Sequence, residues 1–256
     1  MTPSPRLLLV AALFAAALGC EAQQTPPSNP RSAFADSQAA REQESPYTTG
    51  PASYDGTGRY YLGREIARVM DHRGAAWLER PERERTELPG LVVENLDLAP
   101  DAVVADIGAG TGYFAFRIAP EVPEGRVLAV DIQPEMLAIL ERRAEELGMR
   151  NVAPIWGAED DPRLRAGSVD VSLIVDAYHE FAYPREMAEA IYRATKPGGR
   201  LVLVEYRAED PSVPIRPLHK MTEAQVRREL ASVGFRFVEN RDFLPQQHFL
   251  VFERPE

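Results

Sequence analysis

Ten consecutive residues, Val103-Val104-Ala105-Asp106-Ile107-Gly108-Ala109-Gly110-Thr111-Gly112, constrain this chain more than any other stretch. An apolar run that ends in an acid and then in glycines at every second position reads as a buried strand emptying into a tight turn at the start of a helix. Glycine there lets the backbone approach a ligand closely, and the first turn of a helix offers unpaired N–H groups. That run, residues 102–107, is the first of five. The others span 126–131, 152–156, 169–175 and 200–206, with amphipathic segments between them, which is the pattern of a parallel sheet covered by helices. Pro134 opens one such helix, Met136, Leu137, Ile139 and Leu140 form its buried stripe, and Gly148 stops it. Pro184 opens another, which Lys196-Pro197-Gly198-Gly199 ends. Thr222-Glu223-Ala224-Gln225 reads as a capping box, with Gly234 closing the helix that follows. Two last strands, 235–241 and 248–253, are predicted to pair antiparallel at one sheet edge. Ahead of the sheet, Tyr61, Ile66, Val69 and Met70 recur at spacings that predict a helix from Tyr60, and a second helical stretch is expected from Pro81 to Leu96.

The second run ends in Val130-Asp131, from which a carboxylate reaches both hydroxyls of a ribose. Two features favour a methyl donor over a dinucleotide. Tyr113 stands where the dinucleotide fingerprint needs its third glycine, and Asp106 would hold an ammonium but repel a pyrophosphate. These residues resemble the class I S-adenosylmethionine-dependent methyltransferases, over about residues 91–252. The resemblance implies an α/β fold, a Rossmann-like doubly wound, seven-stranded, mostly parallel sheet with a C-terminal antiparallel hairpin and N-terminal helices. It implies S-adenosyl-L-methionine as cofactor. Asp106, Gly108, Ala109, Gly110 and Gly112 would take the methionine part and Asp131 the ribose, with Ile132 beside it. Glu159 or Asp160, in Gly157-Ala158-Glu159-Asp160-Asp161, would meet the adenine amino group. Asp176 opens the loop after the fourth strand, Asp176-Ala177-Tyr178-His179-Glu180-Phe181, and is also assigned to the cofactor. Lys196-Pro197-Gly198-Gly199-Arg200-Leu201 matches the family's turn into strand five.

Methyl transfer from a sulfonium requires nucleophile, methyl and sulfur in line in a water-poor pocket, and a base only if the acceptor starts protonated. His179 is the candidate base, with Tyr178 beside it. Glu205, at the end of strand five, and His219, in the polar connection before Thr222, complete the candidate catalytic set; Arg207 and Lys220 are further candidates for contacting a charged substrate. His248 reads as structural. Tyr60, Arg64, His72 and Trp77 are candidates for a lid. The run from Arg80 to Arg85 reads as a solvated, salt-bridged helix face. No metal is expected, because Asp176, His179 and Glu180 would converge only if their loop bent suitably. The leading reading is a methyltransferase of a small molecule. The rivals are an exported, non-catalytic binding module on the same fold and an NAD(P)-dependent oxidoreductase.

The net charge of −10 is spread over interspersed acids and bases with no basic block, so nucleic acid is not an expected partner. Arg6, the apolar run from Leu7 to Leu18 and Ala16-Ala17-Leu18-Gly19-Cys20 resemble a bacterial lipoprotein signal spanning 1–20, with Ala17 where that signal usually has Leu. Cys20 is the only cysteine, so a disulfide within the chain is excluded, and so is acceptor capture by several thiols. A chain lipidated at Cys20 would sit as a lipoprotein on the periplasmic side of a bacterial membrane, away from the compartment where the methyl donor is made; cytoplasmic residence is the alternative. Residues 21–58, rich in Pro, Ser, Gln and Thr, are expected to be a disordered linker before a methyltransferase domain over 59–256.

Overall fold

The computed structural model describes Met1 and residues 45–256; the rest of the expected signal segment, Cys20 and most of the expected linker lie outside them. The folded unit begins at Pro46, not at 59. Its first elements are β1 (Tyr47–Thr49), β2 (Gly56–Tyr61) and β3 (Arg64–Ala67), a small antiparallel sheet. This corrects two expectations, the linker reaching residue 58 and the helix from Tyr60. The apolar spacing that imitated a helix straddles a hairpin. Leu62 and Gly63 both take positive φ (46° and 87°), the backbone of a tight primed turn that reverses the chain between Tyr61 and Arg64. Tyr61 and Ile66 then reach the core from different strands.

The stretch from Pro81 to Leu96 also differs from a single helix. After the short α1 (Ala75–Leu78) come α2 (Arg83–Thr86) and α3 (Pro89–Glu94), broken at Leu88. Proline at 89 lacks an N–H and crowds the residue before it out of the helical region; Leu88 sits at φ 49° instead.

The main sheet follows its sequence pattern closely. Its strands are β4 (Val103–Ile107), β5 (Arg126–Asp131), β6 (Val152–Trp156), β7 (Val169–Val175), β8 (Thr195–Tyr206), β9 (Arg236–Asn240) and β10 (Gln247–Glu253). They lie in the order β6-β5-β4-β7-β8-β10-β9, and β10 alone runs against its neighbours. The helices α4 (Ala115–Ile118), α5 (Pro134–Leu147), α6 (Pro184–Ala194) and α7 (Glu223–Ala231) complete the domain. Side chains along a strand point alternately to the two faces, so each strand feeds two cores. Val104, Val202, Val204 and Phe249 enter one hydrophobic cluster, while Ala105, Leu201, Leu203 and Leu250 enter the other. Each buried Val or Leu among them contributes about 1.5–3 kcal/mol of burial free energy, which explains why the register is held so firmly.

Three local signals act as the sequence predicts, with changes. Gly148 caps α5 at φ 65°. Thr222 accepts the Gln225 N–H at 3.1 Å, but the Gln225 side chain turns to Glu229 (2.6 Å), so only half of the capping box forms. Lys196-Pro197-Gly198-Gly199 is a bulge within β8: pairing jumps from Val169–Thr195 to Val171–Arg200, and Lys196 is tied to Asp170 at 2.7 Å. Among the described residues no helix is long and apolar enough to cross a membrane.

Candidate active site

In a parallel sheet the loops after the strands gather at one edge, and ligands bind where neighbouring connections part. Here the loops after β4, β5, β6, β7 and β8 enclose a cavity of about 780 Å³. Its floor is the turn after β4. The N–H groups of Gly108 and Ala109 both donate to the Val130 carbonyl at 2.9 Å. Gly108 has φ 79°, and a Cβ there would stand 2.8 Å from the Ala177 methyl, so the close approach of the loops after β4 and β7 needs glycine. Gly110 and Ala109 line the cavity with Gly108. Gly112 does not: a Cβ on it would lie 2.5 Å from the Phe116 ring, so its place is in the packing beneath the turn, a correction to its assignment as a cofactor contact.

Asp131 fastens this turn. One carboxylate oxygen accepts the Gly110 N–H and the other the Gln133 N–H, each at 2.8 Å. Burial raises its pKa, against the lowering effect of those amides. Each oxygen keeps a lone-pair direction for a hydroxyl. Asp106 is buried, and its Oδ2 has no partner among the described residues. Burial pushes its pKa up to about 7, against the pull of the Ala115 amide. An unpartnered acid oxygen buried in a cavity is costly unless a donor arrives, and an ammonium group supplies one.

The remaining cofactor candidates divide. Ile132 and Glu159 line the same cavity, whereas Asp160 stays outside its wall. Asp176 is in the wall, with a left-handed backbone at φ 48°. Its Oδ2 accepts from Gln247 at 2.7 Å, its Oδ1 is unpartnered, and burial, with Glu87 and Glu205 near, holds its carboxyl well above the usual range.

Across the cavity stand His179 and His219, from short turns after β7 and β8. His179 is buried. Its Nδ1 lies 2.7 Å from Glu205 and its Nε2 3.0 Å from His219 Nδ1. Burial disfavours charge on this ring most strongly, but Glu205 and Glu180 together outweigh it and raise its pKa to about 10. The two carboxylates thus favour the protonated ring over the neutral one in the absence of any other ligand to its Nε2. Glu205 is fully buried behind His179 and orients it without reaching the cavity wall. Tyr178 is likewise absent from the wall; its buried ring packs edge-on against Phe181, which removes it from the catalytic candidates.

Sequence reasoning missed several residues. Glu180, weighed only as a possible metal ligand and not placed among the site residues, lines the cavity, and against the opposing effect of burial His179 and His219 lower its pKa to about 2. Asp55 lay in the expected linker, yet its carboxylate is 3.5 Å from His219 Nε2. Arg83, expected on a solvated face, is buried: it pairs with Glu87 at 2.6 Å and lies over the Tyr113 ring. Its companion at the i+4 position was the available signal. Of the lid candidates only Trp77 reaches the wall. Arg64 instead clamps Glu229 through two nitrogens (2.8 and 3.0 Å) and donates to the His179 carbonyl at 3.0 Å. Lys220 donates to the Asp210 carbonyl and Arg207 to Asp242, while His248 sits between Asn240 and Glu209, as a structural residue should. Of the three groups weighed when no metal was expected, Asp176 turns to Gln247, while among the described residues the donor atoms of His179, Glu180 and His219 lie close together.

The seven-stranded sheet with one reversed strand, the glycine turn behind an unpartnered buried acid and the second acid on the next strand make up a Rossmann-like, mostly parallel α/β fold. Residues 104–199 match the family described as the methyltransferase domain. A methyltransferase-like protein of Schizosaccharomyces pombe is 37% identical over 114 residues, 44% of this chain and 41% of that protein. The demethylmenaquinone methyltransferase of Thermus thermophilus is 33% identical over 115 residues, 43% of this chain and 50% of that enzyme. The chain thus spans about half the length of the curated relatives it matches. A solved S-adenosylmethionine-dependent methyltransferase of Aquifex aeolicus shares the fold, with a TM-score of 0.68 at 23% identity over 72% of this chain and 98% of that one.

Proposed function

We propose that this chain transfers the methyl group of S-adenosylmethionine to a small-molecule acceptor bound between the glycine turn and the His179–His219 wall. The observation that carries the reading is the buried, unpartnered Oδ2 of Asp106 in the same cavity as Asp131. In it, Asp106 takes the ammonium of the methionine part, the turn from Gly108 to Gly110 lets the backbone lie against it, Asp131 accepts from the ribose, and Ile132 and Glu159 border the adenine. When bound, the cofactor supplies an electrophilic methyl on a sulfonium. The protein's share is alignment and exclusion of water, for which Met70, Trp77 and Phe181 provide apolar wall. The cavity volume falls in the range of small-ligand pockets, about 300–1,000 Å³, and the acidic chain offers nothing to a polyanion. Both support a small acceptor.

Calorimetric titration of the full chain with S-adenosylmethionine, S-adenosylhomocysteine and NADH tests the donor. Micromolar binding of the first two and none of the third is expected; no binding of the first two overturns the reading. Radiolabelled methyl transfer into a bacterial extract, separated by size, tests the acceptor, and label confined to macromolecules refutes a small molecule. We further propose, from Leu7 to Leu18 and Cys20, that the chain is tethered outside the cytoplasm as a lipoprotein. Labelled palmitate should enter the wild-type chain and not Cys20→Ala; equal labelling of both rejects the tether.

A further inference from the structure

We propose that His179 Nε2, His219 Nδ1 and a carboxylate oxygen of Glu180 form a site for a divalent transition-metal ion of the Zn²⁺ type, with a coordination position open to the cavity. The three donor atoms already converge. The two imidazole nitrogens are 3.0 Å apart, and Glu180 Oε1 is 3.3 Å from His219 Nδ1 and 3.7 Å from His179 Nε2. In a tetrahedral site with metal–ligand bonds of 2.0–2.1 Å, ligand atoms stand about 3.3 Å apart. The triangle has the size that one ion would require.

Each donor is also held from behind. A metal-binding histidine usually gives its other nitrogen to a carboxylate, which fixes the ring and sharpens its basicity. Here Glu205 lies 2.7 Å from His179 Nδ1, and Asp55 lies 3.5 Å from His219 Nε2. The second oxygen of Glu180 accepts the Met70 N–H at 3.0 Å, which leaves Oε1 facing the rings. Three carboxylates around two imidazoles form a concentration of negative charge that a dication balances. Two nitrogens and one oxygen suit Zn²⁺, Fe²⁺ or Co²⁺ better than Mg²⁺ or Ca²⁺, which prefer all-oxygen shells. His179, Glu180 and His219 all line the cavity, so a fourth position would face the space left to the acceptor.

The consequence for chemistry rests on the methyltransferase reading. An acceptor hydroxyl bound at the open position loses its proton to solvent near neutral pH, because the ion lowers its pKa. An oxygen lone pair then forms the new bond to the methyl carbon, and the electrons of the carbon–sulfur bond return to sulfur, leaving a neutral thioether. The acceptor class is therefore one that ligates through oxygen.

The test strips the full chain with a chelator and titrates it with Zn²⁺ and, for its visible absorption, Co²⁺. One equivalent is expected to bind. His219→Ala and Glu180→Gln should each weaken binding at least about 100-fold and Asp55→Asn about tenfold. S-adenosylhomocysteine is titrated into the same preparations. Retained binding of it shows that the variants are folded and separates failure of the metal site from failure of the donor reading. A wild-type chain that takes up no metal overturns the proposal, and so do variants that bind it as tightly as wild type; the two histidines are then a hydrogen-bonded relay.

Discussion

At one end of the cavity Asp106 and Asp131 sit at the carboxyl ends of neighbouring parallel strands, and the turn between them is held by backbone hydrogen bonds to Asp131 and Val130. At the other end His179, Glu180 and His219 come from two separate turns and are backed by Asp55 and Met70 from either side of the N-terminal hairpin. The first region is part of the sheet's own hydrogen-bonding scheme, so disturbing it should disturb the fold. The second is assembled from side chains after the sheet exists, so it should change without unfolding the domain. One end is fixed by the scaffold, and the other rests on loop side chains that can change without it.

The largest expected effect lies beneath the glycine turn. Gly112→Ala places a methyl 2.5 Å from the Phe116 ring at a residue with φ 83°. The left-handed backbone costs about 1 kcal/mol and the overpacking about 2 kcal/mol more. Urea unfolding should show that loss of about 3 kcal/mol; a variant as stable as wild type would break the contrast between the two ends. Asp131→Ala comes next, removing the proposed ribose partner and the anchor of the Gly110 N–H. S-adenosylhomocysteine should bind about 2 kcal/mol, or roughly 30-fold, more weakly by calorimetry, and unchanged affinity would reject the ribose role.

The effect of pH is smaller and has a defined sign. Asp106 in the free protein titrates at about 7 because of burial, and an ammonium partner needs its carboxylate form. Donor affinity should be about half its maximum at about pH 7, approach the maximum about one unit higher and fall by up to about tenfold for each unit lower. Calorimetry in matched buffers from about pH 5.5 to about 8 spans the transition and measures this. A flat profile would mean that Asp106 is not the ammonium partner. The smallest effect belongs to the other end: His219→Ala should change unfolding free energy by about 1 kcal/mol or less, since its contacts with His179, Glu180 and Asp55 are made at a partly exposed turn. A loss as large as that of Gly112→Ala would show that the histidine wall is part of the scaffold after all.

The comparison also separates what could be read in advance from what could not. The main strands lay where apolar runs predicted them, because a buried parallel strand must be apolar throughout and must be bounded by turns. The position of the glycine turn and of its two acids was legible for the same reason: Asp106, the glycines and Asp131 lie within or just after those strands. The N-terminal hairpin was misread because apolar spacing across an unrecognised turn imitates a helix. With it went Asp55, placed in a linker, and Arg64, placed on a lid. Arg83 was misread because a run of alternating charges looks solvated until a tertiary neighbour buries it.

The sequence by itself determined the sheet, its reversed last strand and the glycine turn with Asp106 and Asp131 beside it, since each depends on local chemistry repeated along a short stretch. Only the tertiary structure decided the opposite wall. It dismissed Tyr178 to the core and Gly112 to the packing, put Glu205 behind His179, and brought His219, Glu180 and Asp55 to one point. These residues are distant in the chain and lie on loops whose paths no short-range pattern specifies. Their meeting is a property of how the hairpin and the strand ends pack together.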